Sequence, residues 1–180
     1  METIKTDSAL IESIESNVLL LSPEFPKPFE ITKYACVSSC FFLVPCIYAF
    51  YNSAYLYAIV CLCNTILSVN HWINAEDGFS RLIDRLAAFT CFIVYFVSGC
   101  LYCKGIYLYG YGIPILCIIL GLFFSSNYLS VQWHPYWVYC HMMFHFAVAL
   151  SEILVIWAYI EANNSIIETI DNLKDKIIYM

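Results

Sequence analysis

The sequence has few charged residues, and those few avoid its centre. Of 180 residues, 22 are charged (8 Lys and Arg, 14 Asp and Glu) and 62% are apolar. The 127 positions of 34–160 hold only seven of these charges. A soluble globular domain carries about 25% charged residues, most of them at its surface. The scarcity therefore excludes a soluble enzyme, a disordered chain and a collagen-like fibre, and it indicates a multi-pass membrane protein.

Basic residues are too few and too scattered for nucleic-acid binding. The formal net charge is −6 and no stripe of Lys and Arg exists, so nucleic acid is not an expected partner. The N-terminal segment has Glu and Asp before its first apolar run, and it lacks the basic start of a signal peptide. We therefore expect the first span to be retained as a membrane anchor.

The ten cysteines do not form the pattern of a disulfide framework. Most of them lie inside apolar runs, where cysteine acts as a small hydrophobic residue. Eight are placed in this way: Cys36, Cys40, Cys46, Cys61, Cys63, Cys91, Cys117 and Cys140. Cys100 and Cys103 form a single CxxC, and without a second pair this spacing is a weak signal for zinc or redox chemistry.

Five apolar runs have the length of a transmembrane helix, which needs about 20 residues. They are Tyr34–Tyr51, Ala54–Ile73, Leu82–Cys103, Ile106–Phe124 and Tyr136–Ile160. We predict an all-α polytopic membrane protein of about five transmembrane helices with amphipathic terminal helices.

The predicted spans divide the chain into three parts. Residues 1–33 form an N-terminal extramembrane amphipathic segment, 34–160 the helical bundle and 161–180 an amphipathic tail. Both terminal segments are expected to lie on the membrane or on the protein, and solvated tails are the alternative.

The connections between spans also follow from the sequence. Asn52-Ser53 and Lys104-Gly105 predict tight turns, and Ser125–Pro135 is expected to join the fourth span to the fifth. Four basic residues fall on the N-terminal side of the membrane (Lys27, Lys33, Arg81 and Arg85) and three on the other (Lys104, Lys174 and Lys176). This count favours a cytoplasmic N-terminus.

Ionisable residues inside spans are costly, so each is a candidate functional residue. His71 lies near the end of the second span, and Asp84 and His141 lie near the beginnings of the third and the fifth. The third and fourth spans cross the membrane in opposite directions, so the fifth begins on the side where the third began. An odd number of spans therefore brings these three residues to the same membrane face.

The spacing of these residues favours a catalytic metal site. His141 and His145 are four residues apart and Ser68 precedes His71 by three, so each pair lies on one helix face. Three imidazoles and a water would make a zinc site with an open position. Asp84 is then the carboxylate that moves the proton of the metal-bound water, with Glu152 as a deeper substitute.

The same residues are also compatible with structural roles. Each histidine can form a hydrogen bond to a neighbouring helix without any chemistry. Asp84 lies between Arg81 and Arg85, so an ion pair at the membrane surface also accounts for it. His141, His145 and Glu152 share a stripe that could form a proton or ion path.

The residues also resemble a known superfamily. Ser68-Val69-Asn70-His71, Asp84 and His141-x-x-x-His145 are similar to the motifs of the CREST superfamily, which includes alkaline ceramidases and the adiponectin and progestin receptors. Its members usually have seven spans and a Ser-to-His spacing of four, whereas this chain has five runs and a spacing of three. The resemblance implies zinc-dependent hydrolysis of a lipid amide or ester, with zinc held by His71, His141 and His145 and with Ser68 and Asp84 assisting.

Two functions therefore follow as expectations. The first is a zinc-dependent membrane hydrolase with its site near one membrane face and membrane lipids as partners. The second is a non-enzymatic scaffold or assembly protein whose buried histidines are structural. A homo-oligomer is compatible with both.

Overall fold

The computed structural model describes residues 29–75, 78–132 and 134–178, the side chains of 173 and 175–178 excepted. Within these ranges the chain is almost wholly helical and contains no strand. Five of the described helices are long and apolar enough to cross a membrane. This confirms the all-α polytopic fold. Most of the N-terminal segment predicted over residues 1–33 lies outside the described ranges.

Each predicted span corresponds to one helical segment. The first, Phe29–Tyr51, consists of α1 (Phe29–Ser39), a 3₁₀ turn (Cys40–Phe42) and α2 (Leu43–Tyr51). The second and third are α3 (Tyr55–Asn74) and α4 (Phe79–Tyr102). The fourth joins a π-helical segment (Tyr107–Gly112) to α5 (Ile113–Val131), and the fifth lies within α6 (Trp137–Ile178).

Two tight turns reverse the chain where the sequence predicts them. Ser53 has φ of 59° between α2 and α3, and Gly105 has φ of 55° after α4. The Asn52 side chain donates a 2.8 Å hydrogen bond to the Tyr48 carbonyl and so satisfies the C-terminal end of α2. These short connections make the neighbouring helices antiparallel.

The packed core lies between α3, α4 and α6. Its centre is formed by Cys61, Tyr95 and Ile156, one from each of these helices. The first span packs on α3 and α6. A second small cluster, around Trp72 and Trp137, closes the end of the bundle where α3 ends and α6 begins.

α5 is attached to the rest of the bundle along one side only. It packs extensively on α6, whereas beyond the turn that connects them α4 and α5 hardly touch within the described residues. Only Ile119 and Ser126 of α5 are buried. A space therefore remains between α4 and α5, with α6 behind it.

The predicted connection Ser125–Pro135 is wrong over most of its length. α5 continues through it as far as Val131. Its polar residues are accommodated within the helix, since the Asn127 amide donates to the Phe123 carbonyl at 2.9 Å and Ser126 is buried facing α6. Polar side chains satisfied in this way do not end a helix.

The fifth span continues beyond residue 160 without a break. α6 has 42 residues and is about 63 Å long at 1.5 Å per residue, roughly twice the hydrocarbon thickness of about 30 Å. The tail is thus a continuation of α6, and its residues Ile166, Ile167 and Ile170 are exposed.

Gly105 and Gly121 give a test of the fold. A Cβ added at either position meets nothing within 4 Å, but only Gly105 has a positive φ. Gly105→Ala should lower the free energy of unfolding by about 1 kcal/mol because of its left-handed backbone. Gly121→Ala, inside α5, should raise it by up to about 1 kcal/mol. Thermal unfolding of the two variants in the same detergent measures both effects, and equal shifts would contradict the turn geometry.

Candidate functional site

A long cavity of about 530 Å³ occupies the space between α4 and α5. Its lining on α4 extends from Arg81 to Cys103, a distance of about 33 Å along the helix at 1.5 Å per residue. The cavity is therefore narrow and about as long as the hydrocarbon layer is thick. α3 and α6 form most of its remaining walls, together with Phe42 of the 3₁₀ turn and Leu108 of the π-helical segment.

All five predicted site residues line this cavity. Ser68 and His71 come from α3, Asp84 from α4, and His141 and His145 from α6. We call these five residues the polar end. The structure thus brings together residues that are up to 77 positions apart in the sequence, while their chemical roles remain predictions.

Ser68 links the first span to Asp84. Its hydroxyl lies 3.0 Å from the Ser39 hydroxyl, and it also interacts with the Asp84 carboxyl. Arg85 is the charged neighbour of the same carboxyl. Asp84 therefore has both a hydroxyl and a cation beside it, so the expected surface ion pair and a role at the cavity are compatible.

The two histidines of α6 are in direct contact. The ring centroids of His141 and His145 are 4.4 Å apart in an edge-to-face arrangement. Each Nδ1 faces a serine on another helix: Ser38 Oγ is 2.9 Å from His145 and Ser126 Oγ is 3.3 Å from His141. These contacts fix the orientation of both rings, as outer-shell partners do for metal-binding histidines.

The hydrogen bonds of Ser38 indicate the tautomer of His145. The Ser38 hydroxyl has one proton, and it lies 2.9 Å from the Ala35 carbonyl, which can only accept it. With that proton directed to Ala35, Ser38 accepts the Nδ1 hydrogen of His145. The Nε2 atom of a neutral His145 then keeps its lone pair, the form that a metal or a proton requires.

His71 and His141 both contact Trp72. The ring centroid of Trp72 is 4.8 Å from that of each histidine. Among the described residues, no group of three or more His, Cys, Asp and Glu side chains is placed so that it could hold a metal ion. The predicted three-histidine set therefore lines one cavity but does not converge on one point.

A second polar group lies midway along the cavity. Glu152 is 1% exposed; the Cys91 thiol donates to its Oε1 at 3.1 Å and the Cys61 thiol to its Oε2 at 3.5 Å. The Tyr95 hydroxyl is 2.9 Å from the Cys61 sulfur. The expectation that these two cysteines act only as hydrophobic residues is wrong, because both are hydrogen-bonding partners of a buried carboxyl.

Several polar contributors could not be singled out from the sequence. Ser38, Ser39 and Ser126 are single hydroxyls in apolar runs, and only the Ser38-Ser39 pair stands out as a signal. Asn64 is 5% exposed and lines the cavity. Its position four residues before Ser68, on the same face of α3, is the one clue that the sequence offers.

Comparisons with known proteins add nothing to this geometry. No family model matches the chain, and neither a curated protein nor a solved structure matches it. The resemblance to the CREST superfamily therefore stays an expectation, and the function has to be argued from the cavity.

Proposed function

We propose that the protein is a membrane-embedded hydrolase that cleaves a lipid amide or ester at the polar end of its cavity. One observation carries the proposal: Ser68, His71, Asp84, His141 and His145, from three helices, line a single cavity at membrane depth. Ionisable side chains at this depth usually have a function. Because these residues line one cavity instead of occupying separate helix–helix contacts, a shared function is favoured.

The remaining walls favour a lipid substrate. Away from the polar end, the lining is mainly apolar and aromatic, with Phe92 and Phe96 on α4 and Leu116 and Ile119 on α5. Ligand sites combine such walls with a few converging polar groups. Because α4 and α5 hardly touch within the described residues, a lipid chain can lie between them while its amide or ester reaches the polar end.

The chemistry assigned to the polar end is general acid–base hydrolysis. Asp84 accepts the proton of the attacking water, and Ser68, which interacts with its carboxyl, orients it. His141 and His145 line the same cavity. An imidazole protonated at Nε2 can donate to the oxygen on which charge develops and pass its proton to the leaving amine or alcohol as the acyl bond breaks. Such proton transfers contribute about 10²–10⁴-fold to a rate.

Zinc is part of the proposal, but the described side chains fit it only in part. His141 and His145 are suitable as two ligands, since both rings are oriented by serines. His71, the proposed third ligand, contacts Trp72, and no group of three or more His, Cys, Asp and Glu among the described residues is placed to hold a metal ion. A bound zinc would activate water by lowering its pKa to about 7, and we assign no step of the reaction to it.

Hydrolysis can be tested with a panel of lipid amides and esters, on protein in lipid nanodiscs. We expect the release of fatty acid to fall at least about 100-fold in Asp84→Asn, because removal of a general base costs that much. Asp171→Asn, on the exposed end of α6, should act as wild type. A protein that cleaves no member of the panel, or an Asp84→Asn variant with full activity, would contradict the proposal.

Metal content provides a separate test. Purified wild-type protein should contain about one zinc per chain by elemental analysis, and His141→Ala and His145→Ala should contain none. His134→Ala is the matched control, since His134 is exposed and hydrogen-bonds locally to the backbone of Tyr136. Wild-type protein that stays zinc-free after incubation with zinc would remove the metal from the proposal and leave the acid–base part.

The scaffold function is also supported by one observation. Ser38 Oγ and His145 Nδ1, 107 residues apart, are joined by a 2.9 Å hydrogen bond that ties α1 to α6. A histidine that only ties helices together needs neither a metal nor a substrate.

His145→Ala separates the two functions. It should lower the free energy of unfolding by about 1–3 kcal/mol in either case, because it removes the buried hydrogen bond between Ser38 and His145. Only if the protein is a zinc-binding hydrolase should this substitution also abolish activity and zinc binding. Loss of stability in a protein with neither property would establish the structural role.

A further inference from the structure

The carboxyl of Glu152 lies in the membrane interior without a strong partner. Within the described residues its hydrogen bonds come from two thiols, at 3.1 and 3.5 Å, and a thiol is a weak donor. The ion pairs found among these residues, Lys33–Glu30 and Lys174–Asp171, lie elsewhere on the surface. A buried carboxylate is expected to have a cation or strong donors beside it.

Asn64, on the facing helix α3, also has a buried side-chain oxygen, Oδ1, without a hydrogen-bond donor among the described residues. Asn64 and Glu152 both line the cavity, and we call them the acceptor pair. Two buried acceptors without strong donors therefore face the same space, and a buried acceptor left unsatisfied costs stability.

The position of the acceptor pair separates it from the polar end. Asn64 is four residues from Ser68, about 6 Å along α3, and Glu152 is seven residues from His145, about 10 Å along α6. The arginines that line the cavity, Arg81 and Arg85, lie beside Asp84 at the polar end of the α4 wall, at least six residues from Cys91. Along the described length of α4, no positive side chain thus reaches the acceptor pair.

We propose that the acceptor pair binds the ammonium group of an amphiphilic amine whose alkyl chain lies in the cavity between α4 and α5. A primary ammonium supplies what the site lacks, namely a positive charge for Glu152 and several N–H donors for both acceptors. Charge-assisted hydrogen bonds of this kind are about twice as strong as neutral ones. The apolar walls, with Phe92 and Leu116 among them, receive the chain.

Ammonium binding at this site requires no hydrolytic step. A protein that cleaves no lipid can still bind the amine, and a hydrolase can fail to bind it. The two proposals are therefore tested by different measurements on the same preparation.

The experiment is calorimetric titration of the full chain in phosphatidylcholine nanodiscs at pH 7, with empty nanodiscs subtracted. Decylammonium should bind once per chain and at least about 10-fold more tightly than decanol, which has the same chain without the charge. Decyltrimethylammonium, which has the charge but no N–H donor, should bind less tightly than decylammonium. Equal affinity of any two of these probes would overturn the corresponding part of the proposal.

Substitutions locate the binding on the acceptor pair. Glu152→Gln keeps the shape of the side chain and should weaken decylammonium binding about 10-fold or more, while decanol binding stays unchanged. Asn64→Ala should weaken it about 2- to 10-fold. Glu161→Gln, on the exposed part of the same helix, is the matched control and should bind as wild type. A Glu152→Gln variant with wild-type affinity for decylammonium would place the amine elsewhere and overturn the proposal.

Discussion

The structure depends on the absence of water around its spans, which obliges each polar side chain there to find a partner within the protein. Lipid offers no hydrogen bonds, so such groups turn inward and meet groups from other helices. Ser38 meets His145, Ser126 meets His141, and Tyr57 meets Ser98. The result is a bundle with polar side chains in its interior and many large apolar side chains exposed on its outer surface.

Because the helices pack unequally, a cavity remains within this polar interior. α3, α4 and α6 enclose a core around Cys61 and Ile156, whereas α5 packs mainly on α6. Because α4 and α5 hardly touch within the described residues, a cleft with two kinds of polar lining remains between them. The polar end combines histidines with a carboxylate and a hydroxyl, and the acceptor pair near the middle has acceptors without strong donors.

The fold could be predicted from the sequence because a membrane constrains composition directly. With only seven charges over 34–160, this part of the chain is compatible with membrane-spanning helices and with little else. Asn52-Ser53 and Lys104-Gly105 are the local sequence signals of the two turns. The helical course of 125–131 could not be predicted, because Ser126 and Asn127 are polar residues whose partners are visible only in three dimensions. The odd number of spans predicted that His71, Asp84 and His141 lie near the same membrane face, but the contacts of Trp72 with both imidazoles depend on packing.

The one-sided attachment of α5 has a mechanical consequence. An outward movement of this helix breaks mainly its contacts with α6. Its first turn contains Pro114, which has no backbone N–H to donate, directly after a π-helical segment. Because the cleft lies between α4 and α5, the contact between α5 and α6 sets its width.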